Sequence, residues 1–332
     1  MITYLEFLVV GFYALIKGAD MFVDGSSAVA KRFRVPGAII GLTIVAMGTS
    51  APELAVSVTS ALKGSNELAI SNVIGSNLFN VLMVLGICAI LHPVPVDSSI
   101  LKRDFPLNIL VTLAMLIAAP FGLKAALAAA GDAGLKMSDK VYNLGRLFGI
   151  GMLIFFIIYI VVLIMEARKN PTAEEEDAGE PMPMSKTIFS IIFGIILIVS
   201  GGEAVVESAK NIAYTLGMSE TLVGLTIVAV GTSLPELVTS MVAAKKGEVD
   251  MAVGNVVGSC IFNIMLILGV SCTILPVGVN LASMIDIGIL LLVGIISFIY
   301  CLCGKKVGRI KGITMVAMYV AYVVFAYLRD VV

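Results

Sequence analysis

One polar segment occurs twice in this chain, and each copy lies inside a long apolar run. The copies are GTSAPE at 48–53 and GTSLPE at 231–236. Each contains a proline, which is poorly compatible with a helix interior, followed by a carboxylate, which is unfavourable at membrane depth. Because an ionisable residue within a membrane span is a functional-site hypothesis by default, the two copies together predict a site.

The two copies belong to a longer repeat with a constant offset. Glu53 and Glu236 are 183 positions apart, and the segment NVIGSNLFN at 72–80 returns at the same offset as NVVGSCIFN at 255–263. The ungapped match covers residues 18–93 of the first copy. The chain therefore consists of two related halves.

Composition assigns the chain to the all-α integral membrane proteins. Of its residues, 59% are hydrophobic and 14% are charged, whereas a soluble domain has roughly 25% charged residues. The net charge of −1 gives no basic footprint for nucleic acid. The sequence contains no HExxH, Walker A, GxSxG or paired CxxC motif, so we expect neither an enzyme nor a bound cofactor.

Ten transmembrane helices can be drawn, five in each half, on the scale of roughly 17–25 residues that a bilayer requires. We expect the two spans that carry the proline motif to break near the membrane midplane. The spans lie near residues 2–30, 38–62, 67–91, 104–121, 145–167, 187–211, 220–244, 249–275, 283–303 and 309–328.

An acidic linker at 168–186 joins the two five-helix halves, 1–167 and 187–332. It is polar and has no apolar helical face, which indicates a solvated tether. If the N-terminus lies outside, fourteen Lys and Arg residues fall on the inner segments and seven on the outer ones, which predicts a cytoplasmic linker. Because five spans per half is an odd number, the second half must enter the membrane in the opposite orientation. Such inverted repeats are typical of alternating-access transporters.

The first span of each half carries charged residues. Asp20 and Asp24 are four residues apart and share one helix face, and Glu203 and Glu207 occupy the same zone of the counterpart span. One interpretation is a helix end that emerges into water or headgroups. The other is a role in gating or in the ion path.

The local chemistry of the proline motif predicts a broken helix. Pro52 cannot donate a backbone hydrogen bond, so we expect two half-helices that meet near Thr49. Ser50 and Glu53 fit a capping box at the start of the second half-helix. The carbonyls at the end of the first half-helix, including that of Ala46, should become free. Carbonyls, hydroxyls and a carboxylate form a hard-oxygen site that suits Ca²⁺ and Na⁺ rather than zinc or copper.

The two motif glutamates have a plain alternative, which is helix capping alone. A serine or asparagine would cap without a net charge, and an acidic residue at the centre of a span costs roughly 2.5–3.5 kcal/mol on insertion scales. The repeated spans contain no Lys or Arg at matching depth to neutralise Glu53 and Glu236. We therefore expect the two carboxylates to hold a bound cation or a shared proton.

The second repeated segment adds polar side chains on one helix face. Ser76 and Asn80 are four residues apart, as are Ser259 and Asn263. In the second copy, Gly254 and Gly258 have a GxxxG spacing, for which close helix packing is the simplest interpretation. For Asn80 and Asn263 we favour ligation, because an amide oxygen beside a glutamate is a ready cation ligand.

At these residues the chain resembles the cation/calcium exchanger superfamily, and within it the sodium/calcium exchangers. The paired GTSxPE and GSxxxN segments look like the family's two alpha repeats. The resemblance implies a ten-helix, inverted-repeat fold with ion ligands at matched positions, including two alanine backbone carbonyls. The implied metal ligands are Ala46, Thr49, Ser50, Glu53, Ser76 and Asn80, and Ala229, Thr232, Ser233, Glu236, Ser259 and Asn263.

The resemblance implies antiport of Ca²⁺ against Na⁺ across the cell membrane. Ca²⁺/H⁺ antiport through the two glutamates is the alternative, but the GNxxE segments typical of the cation/proton branch are missing here. A passive cation channel is a third class, which an inverted repeat within one chain disfavours. In some relatives, including potassium-dependent exchangers, the position of Asn263 is aspartate, so asparagine predicts exchange without K⁺. The expected partners are Ca²⁺, Na⁺, H⁺ in the alternative, and lipid; a monomer is compatible with the sequence.

Overall fold

The computed structural model describes residues 2–63, 66–117, 124, 127–128, 136–169, 182–216, 229–304 and 306–331. These residues form long helices and four short strands. The first half contains α1 (Ile2–Phe33), α2 (Gly37–Thr49), α3 (Ala51–Leu62), α4 (Asn66–Leu78, continued by Phe79–Val84 and Leu85–Leu91), β1 (Val94–Pro95), α5 (Ile100–Asp104 and Phe105–Leu116), β2 (Lys140–Leu144) and α6 (Arg146–Lys169). The second half contains α7 (Met184–Thr215), a short turn at Ala229–Gly231, α8 (Leu234–Lys245), α9 (Val249–Ile274), β3 (Val277–Asn280), α10 (Leu281–Leu302), β4 (Lys306–Val307) and α11 (Arg309–Val331).

Six described helices are long and apolar enough to cross a membrane, and the bent pair α2 and α3 makes up to seven. These seven coincide with seven of the ten predicted spans. The predicted spans near 104–121 and 220–244, like the linker at 168–186, lie partly outside the described residues. The predicted span near 2–30 is the continuous helix α1, which passes its charged residues without a break. The chain is a multi-pass helical membrane protein.

The predicted break at the first proline motif is confirmed. Helix α2 ends at Thr49 and α3 begins at Ala51, with a bend of 51° between them. Ser50, at the break, has φ −85° and ψ 9°, outside the helical region. The second copy has the same form, because the turn ends at Gly231 and α8 begins at Leu234. Proline two residues into each new helix explains both breaks, since its ring prevents the hydrogen bond that would continue the preceding turn.

Helices α4 and α9 form the centre of the molecule. In each of these two helices, 78% of the most apolar 18-residue stretch is buried. The buried fraction of the same kind of stretch lies between 22% and 33% in α6, α7, α10 and α11. The outer helices turn large apolar side chains outward, as expected for surfaces that face lipid. Both central helices contain a π-helical turn, Phe79–Val84 in α4 and Asn263–Leu268 in α9. Such turns are frequent at functional sites.

Glycines bring α1 and α7 into close antiparallel contact. A Cβ at Gly11 would lie 3.0 Å from the carbonyl oxygen of Gly201, and a Cβ at Gly18 would lie 2.8 Å from that of Gly194. Small residues allow two membrane helices to approach this closely. Gly194 is the counterpart of Gly11, and Gly201 is the counterpart of Gly18, at the offset of 183. The two contacts are therefore equivalent when the halves are exchanged.

The same exchange of halves relates other contacts. Strand β1 pairs with β4 and β2 pairs with β3, both antiparallel, so each two-stranded sheet joins the two halves. A Cβ at Gly86 in α4 would lie 3.0 Å from the carbonyl oxygen of Gly312 in α11, and a Cβ at Gly149 in α6 would lie 2.6 Å from that of Gly269 in α9. Gly269 and β3 follow Gly86 and β1 at the offset of 183. These contacts between the halves therefore have counterparts with the halves exchanged.

Candidate ion-binding site

The two motif glutamates are fully buried and are each contacted by the opposite half. Ser50 Oγ donates to Glu236 Oε1 at 2.8 Å, and Ser233 Oγ donates to Glu53 Oε1 at 3.1 Å. Both glutamates lie in the first turn after a helix break, α3 in one half and α8 in the other. The breaks therefore bring the two motifs together from 183 residues apart.

The capping box expected for Ser50 and Glu53 is wrong. Ser50 makes no side-chain cap hydrogen bond, and the same holds for Ser233 in the second half. A hydroxyl has one proton to donate, and here each serine donates it to the other half's carboxylate. Capping of the local helix by these serines therefore does not explain why a glutamate occurs at each of the two positions.

The carbonyl of Ala46 is not free, contrary to expectation. It accepts the backbone N–H of Ser50 at 3.0 Å, and Thr49 Oγ1 lies 3.4 Å away. The break removes fewer helical hydrogen bonds than proline chemistry suggested, because the last turn of α2, Ala46–Thr49, remains α-helical. A carbonyl oxygen has two lone pairs, so Ala46 can still ligate an ion. In the second half, Ala229 and Thr232 lie on or beside the short turn before α8.

Several buried oxygen atoms at the site have no hydrogen-bond partner among the described residues. Buried polar atoms are normally paired, so a cluster of unpaired oxygens requires an explanation. Ser259 Oγ makes only a long contact of 3.5 Å to Glu236 Oε1. The unpaired oxygens are Glu53 Oε2, Glu236 Oε2, Ser76 Oγ, Asn80 Oδ1 and Asn263 Oδ1. All are hard oxygen ligands of the kind that Ca²⁺ and Na⁺ prefer.

A third buried carboxylate has a basic partner, which the two glutamates lack among the described residues. Asp104 in α5 receives two hydrogen bonds of 2.8 Å from the guanidinium of Arg103 and one of 2.9 Å from the hydroxyl of Tyr159. Within the described part of the chain, no Lys, Arg or His forms an ion pair with Glu53 or Glu236. Buried charges need a partner. A bound cation or a proton would supply it.

The charge and ligand types favour a hard cation over zinc. The described residues contain no group of three His, Cys, Asp or Glu side chains that could hold a metal ion. Zinc sites are built mainly from histidine and cysteine, whereas Ca²⁺ accepts carboxylate, amide, hydroxyl and carbonyl oxygens. Two carboxylates with neutral oxygens around them therefore suit Ca²⁺ or a set of Na⁺ ions.

Two further asparagines brace the site and were not among the predicted ligands. Asn72 Nδ2 donates to Ser57 Oγ at 3.1 Å, and Asn255 Nδ2 donates to Ser240 Oγ at 2.9 Å. Each amide also lies 3.5 Å from the backbone carbonyl of its own half's glutamate. Both asparagines recur at the offset of 183, which is the signal that could have identified them.

The two aspartates of α1, Asp20 and Asp24, are paired with the second half. Lys246 Nζ lies 2.7 Å from an oxygen of Asp24 and 3.4 Å from an oxygen of Asp20. Helix α1 continues to Phe33, so neither aspartate marks the end of the helix. On α7, Glu207 instead pairs within its own helix, 3.0 Å from Lys210.

Comparison with known proteins points to one family along nearly the whole chain. A family model described as sodium/calcium exchanger protein matches residues 3–165 and 186–328. The chain is 39% identical to the putative antiporter CaxA of Alkalimonas amylolytica, over 83% of this chain and 82% of that protein. It is 32% identical to the sodium/calcium exchanger MaX1 of Methanosarcina acetivorans, over 96% and 97% of the two chains.

A solved structure has the same fold. The sodium-calcium exchanger NCX_Mj, soaked with Na⁺ and Ca²⁺, matches with a TM-score of 0.79 and 30% identity over 98% of both chains.

Proposed function

Because this chain belongs to the sodium/calcium exchanger protein family, we propose that it is a secondary antiporter that exchanges Ca²⁺ for Na⁺ by alternating access to the buried site. The observation that carries the proposal is the pair of buried glutamates, which have no basic partner among the described residues and lie among oxygens unpaired there. The proposed ligands are Ala46, Thr49, Ser50, Glu53, Ser76 and Asn80, and Ala229, Thr232, Ser233, Glu236, Ser259 and Asn263.

The proposed architecture is ten transmembrane helices in two inverted halves, 1–167 and 187–332. The contacts that recur with the halves exchanged support it, since they fit an approximate two-fold axis. The antiparallel packing of α1 against its counterpart α7 supports an axis that runs across the helices, as in an inverted repeat. In this arrangement the N-terminus lies outside and the linker at 168–186 is cytoplasmic.

One site holding either ion accounts for exchange. Glu53 and Glu236 supply at most two negative charges, which one Ca²⁺ balances. Several Na⁺ ions can occupy the same oxygens, but they cannot share the site with Ca²⁺ without excess positive charge. Na⁺ should therefore lower the apparent affinity for Ca²⁺ competitively. Titration of purified protein with Ca²⁺ at several Na⁺ concentrations measures this, and simultaneous saturation by both ions would contradict a shared site.

Flux measurements separate the proposed function from its alternatives. Purified protein in vesicles should take up Ca²⁺ when a Na⁺ gradient is imposed, and should not do so when only a proton gradient is imposed. Uptake driven by protons alone would indicate Ca²⁺/H⁺ antiport, which the family match does not favour. Uptake that needs no counter-ion gradient, and that scales with membrane voltage alone, would indicate a channel.

A further inference from the structure

Asn77, Cys260 and Asn263 form a short hydrogen-bonded chain between the central helices α4 and α9. Asn77 Nδ2 donates to the backbone carbonyl of Cys260 at 3.2 Å, and Asn263 Nδ2 donates to Asn77 Oδ1 at 2.9 Å. All three residues are fully buried. Asn77 itself is outside the ligand set proposed above, but it contacts a member of that set.

The chemistry of this chain determines how the Asn263 amide is oriented. A backbone carbonyl only accepts hydrogen bonds, so the atom of Asn77 that faces Cys260 must be its NH₂ group. The oxygen of Asn77 then faces Asn263, which must present its own NH₂ group. The remaining atom of the Asn263 amide is Oδ1, which is buried and has no hydrogen-bond partner among the described residues.

The first half lacks this arrangement at the matching position. The counterpart of Asn77 is Cys260, and the counterpart of Asn263 is Asn80. A thiol is a weak donor and a weak acceptor, and Cys260 Sγ lies 3.9 Å from the backbone oxygen of Asn77. Within the described residues, neither Oδ1 nor Nδ2 of Asn80 has a partner.

We propose that Asn77 is a positioning residue that holds the amide oxygen of Asn263 toward the Ca²⁺ site. This inference rests on the proposed function. If the Asn263 amide turned over, its NH₂ group would point at the cation, and a donor group repels a cation. Asn77 prevents that rotation, so the second half contributes an oxygen ligand whose orientation is set before the ion binds. The amide of Asn80 is not held in this way.

Two substitutions at one position test the proposal. Asn77→Leu keeps the approximate size but cannot accept a hydrogen bond, so the Asn263 amide is released. Asn77→Asp keeps the acceptor for Asn263; when ionised, it loses the donor to Cys260 and adds a negative charge beside the site. Loss of a group that orients a metal ligand typically weakens affinity about 10- to 100-fold. We expect the KM for Ca²⁺ uptake to rise by about that factor in Asn77→Leu, with little change in maximal rate, and not to rise in Asn77→Asp.

The matched control is Cys260→Ala, which removes only a weak contact and should leave the KM unchanged. An unchanged KM in Asn77→Leu would overturn the proposal. An equal rise in Asn77→Leu and Asn77→Asp would also overturn it, because the residue would then only support the Cys260 carbonyl. If Asn77→Leu does not fold, Asn77→Ala replaces it, because alanine also lacks the acceptor: an unchanged KM in Asn77→Ala overturns the proposal and a raised KM supports it. Absence of Na⁺-driven uptake in the unmodified protein would refute the proposed function instead.

A second, independent asymmetry lies at the ends of α8 and α3. Lys246 is paired with Asp20 and Asp24 of α1, and α1 packs along α8. At the offset of 183, these three residues correspond to Lys63, Glu203 and Glu207. All three are described, yet Lys63 pairs with neither glutamate, and α7 has no comparable packing along α3.

From this asymmetry we infer two alternating latches, which are sets of ion pairs that each hold two helices together in one conformational state. Lys246 with the two aspartates closes the cleft between α1 and α8, and Lys63 with the two glutamates closes the cleft between α7 and α3 when the protein changes state. In an inverted repeat these clefts open to opposite sides of the membrane. Exposed ion pairs are individually weak, so such a latch biases the two states without locking either. This inference rests on alternating access.

Paired cysteines test the latches in a Cys303→Ser background, because Cys303 is exposed. One protein carries Lys246→Cys with Asp24→Cys, and the matched protein carries Lys63→Cys with Glu207→Cys. We expect both pairs to form disulfides under oxidation, each disulfide to stop exchange, and reduction to restore it. The inference is overturned if the second pair does not cross-link in any mixture of Na⁺ and Ca²⁺ while the first does. It is equally overturned if either cross-linked protein exchanges at the uncross-linked rate.

Discussion

The two halves of this protein are nearly equivalent at the glutamates and differ beside them. Ser50 contacts Glu236 as Ser233 contacts Glu53, and the bracing asparagines repeat in the same way. In contrast, the position of Asn77 is cysteine in the second half. The comparison indicates that charge and hydroxyl ligands are supplied symmetrically, whereas the orientation of one amide is set in only one half.

The largest expected effect comes from removing either charge. Glu53→Gln or Glu236→Gln should nearly abolish Ca²⁺ transport, because a unit charge at about 4 Å contributes about 4 kcal/mol at an effective dielectric constant of about 20, near a thousandfold in affinity. Equivalent halves predict equal losses. Ca²⁺ uptake into vesicles measures the effect, with elution as a folded protein in detergent as the control. Near-normal uptake in either variant would contradict the assignment of that glutamate to the ion site.

A smaller matched effect is expected from the two serines. Ser50→Ala and Ser233→Ala each remove a hydroxyl from the opposite half's carboxylate. A hydrogen bond to a charged group contributes about 1.5–3 kcal/mol, or roughly 10- to 100-fold in apparent Ca²⁺ affinity. In the double variant Ser233→Ala with Glu53→Gln, the loss of apparent Ca²⁺ affinity should be smaller than the sum of the two single losses, since both substitutions remove the same contact. Additive effects would show that the crosswise contact does not operate during transport.

The glycine contact between α1 and α7 gives a prediction for stability. Gly18→Ala should destabilise by about 1–3 kcal/mol, because its Cβ would lie 2.8 Å from backbone atoms of α7. Gly201→Ala, the matched change, should do the same. The control is Gly151→Ala in α6, where a Cβ would meet no atom within 4 Å among the described residues. Thermal unfolding in detergent compares the three, and equal melting temperatures for Gly18→Ala and Gly151→Ala would contradict the close contact.

The smallest expected effect is that of K⁺. The family resemblance implies that some relatives, including potassium-dependent exchangers, carry aspartate at the position of Asn263. Because asparagine stands here, removing K⁺ at clamped voltage should leave exchange unchanged. Replacement of Na⁺ by choline should stop it. A strict requirement for K⁺ would show that an amide at position 263 can serve a potassium site, and the interpretation of Asn263 would have to be revised.

Sequence alone determined the repeat, the helix breaks and the two motif carboxylates, Glu53 and Glu236. These depend on local chemistry: proline cannot continue a helix, and an acidic residue in an apolar run needs a reason to be there. The constant offset of 183 carried each assignment from one half to the other. The family resemblance then supplied the ligand set and the ions.

Tertiary structure alone decided which side chains meet. The hydroxyl of Ser50 was expected to cap its own helix, but it reaches Glu236 in the other half. Asn77 escaped notice because its counterpart is Cys260, so the repeat gave no signal for it. The pairing of Asp24 with Lys246 joins residues 222 positions apart. Local patterns report what a residue does to its own helix, whereas these contacts depend on how two separate halves pack, which no single stretch of sequence encodes.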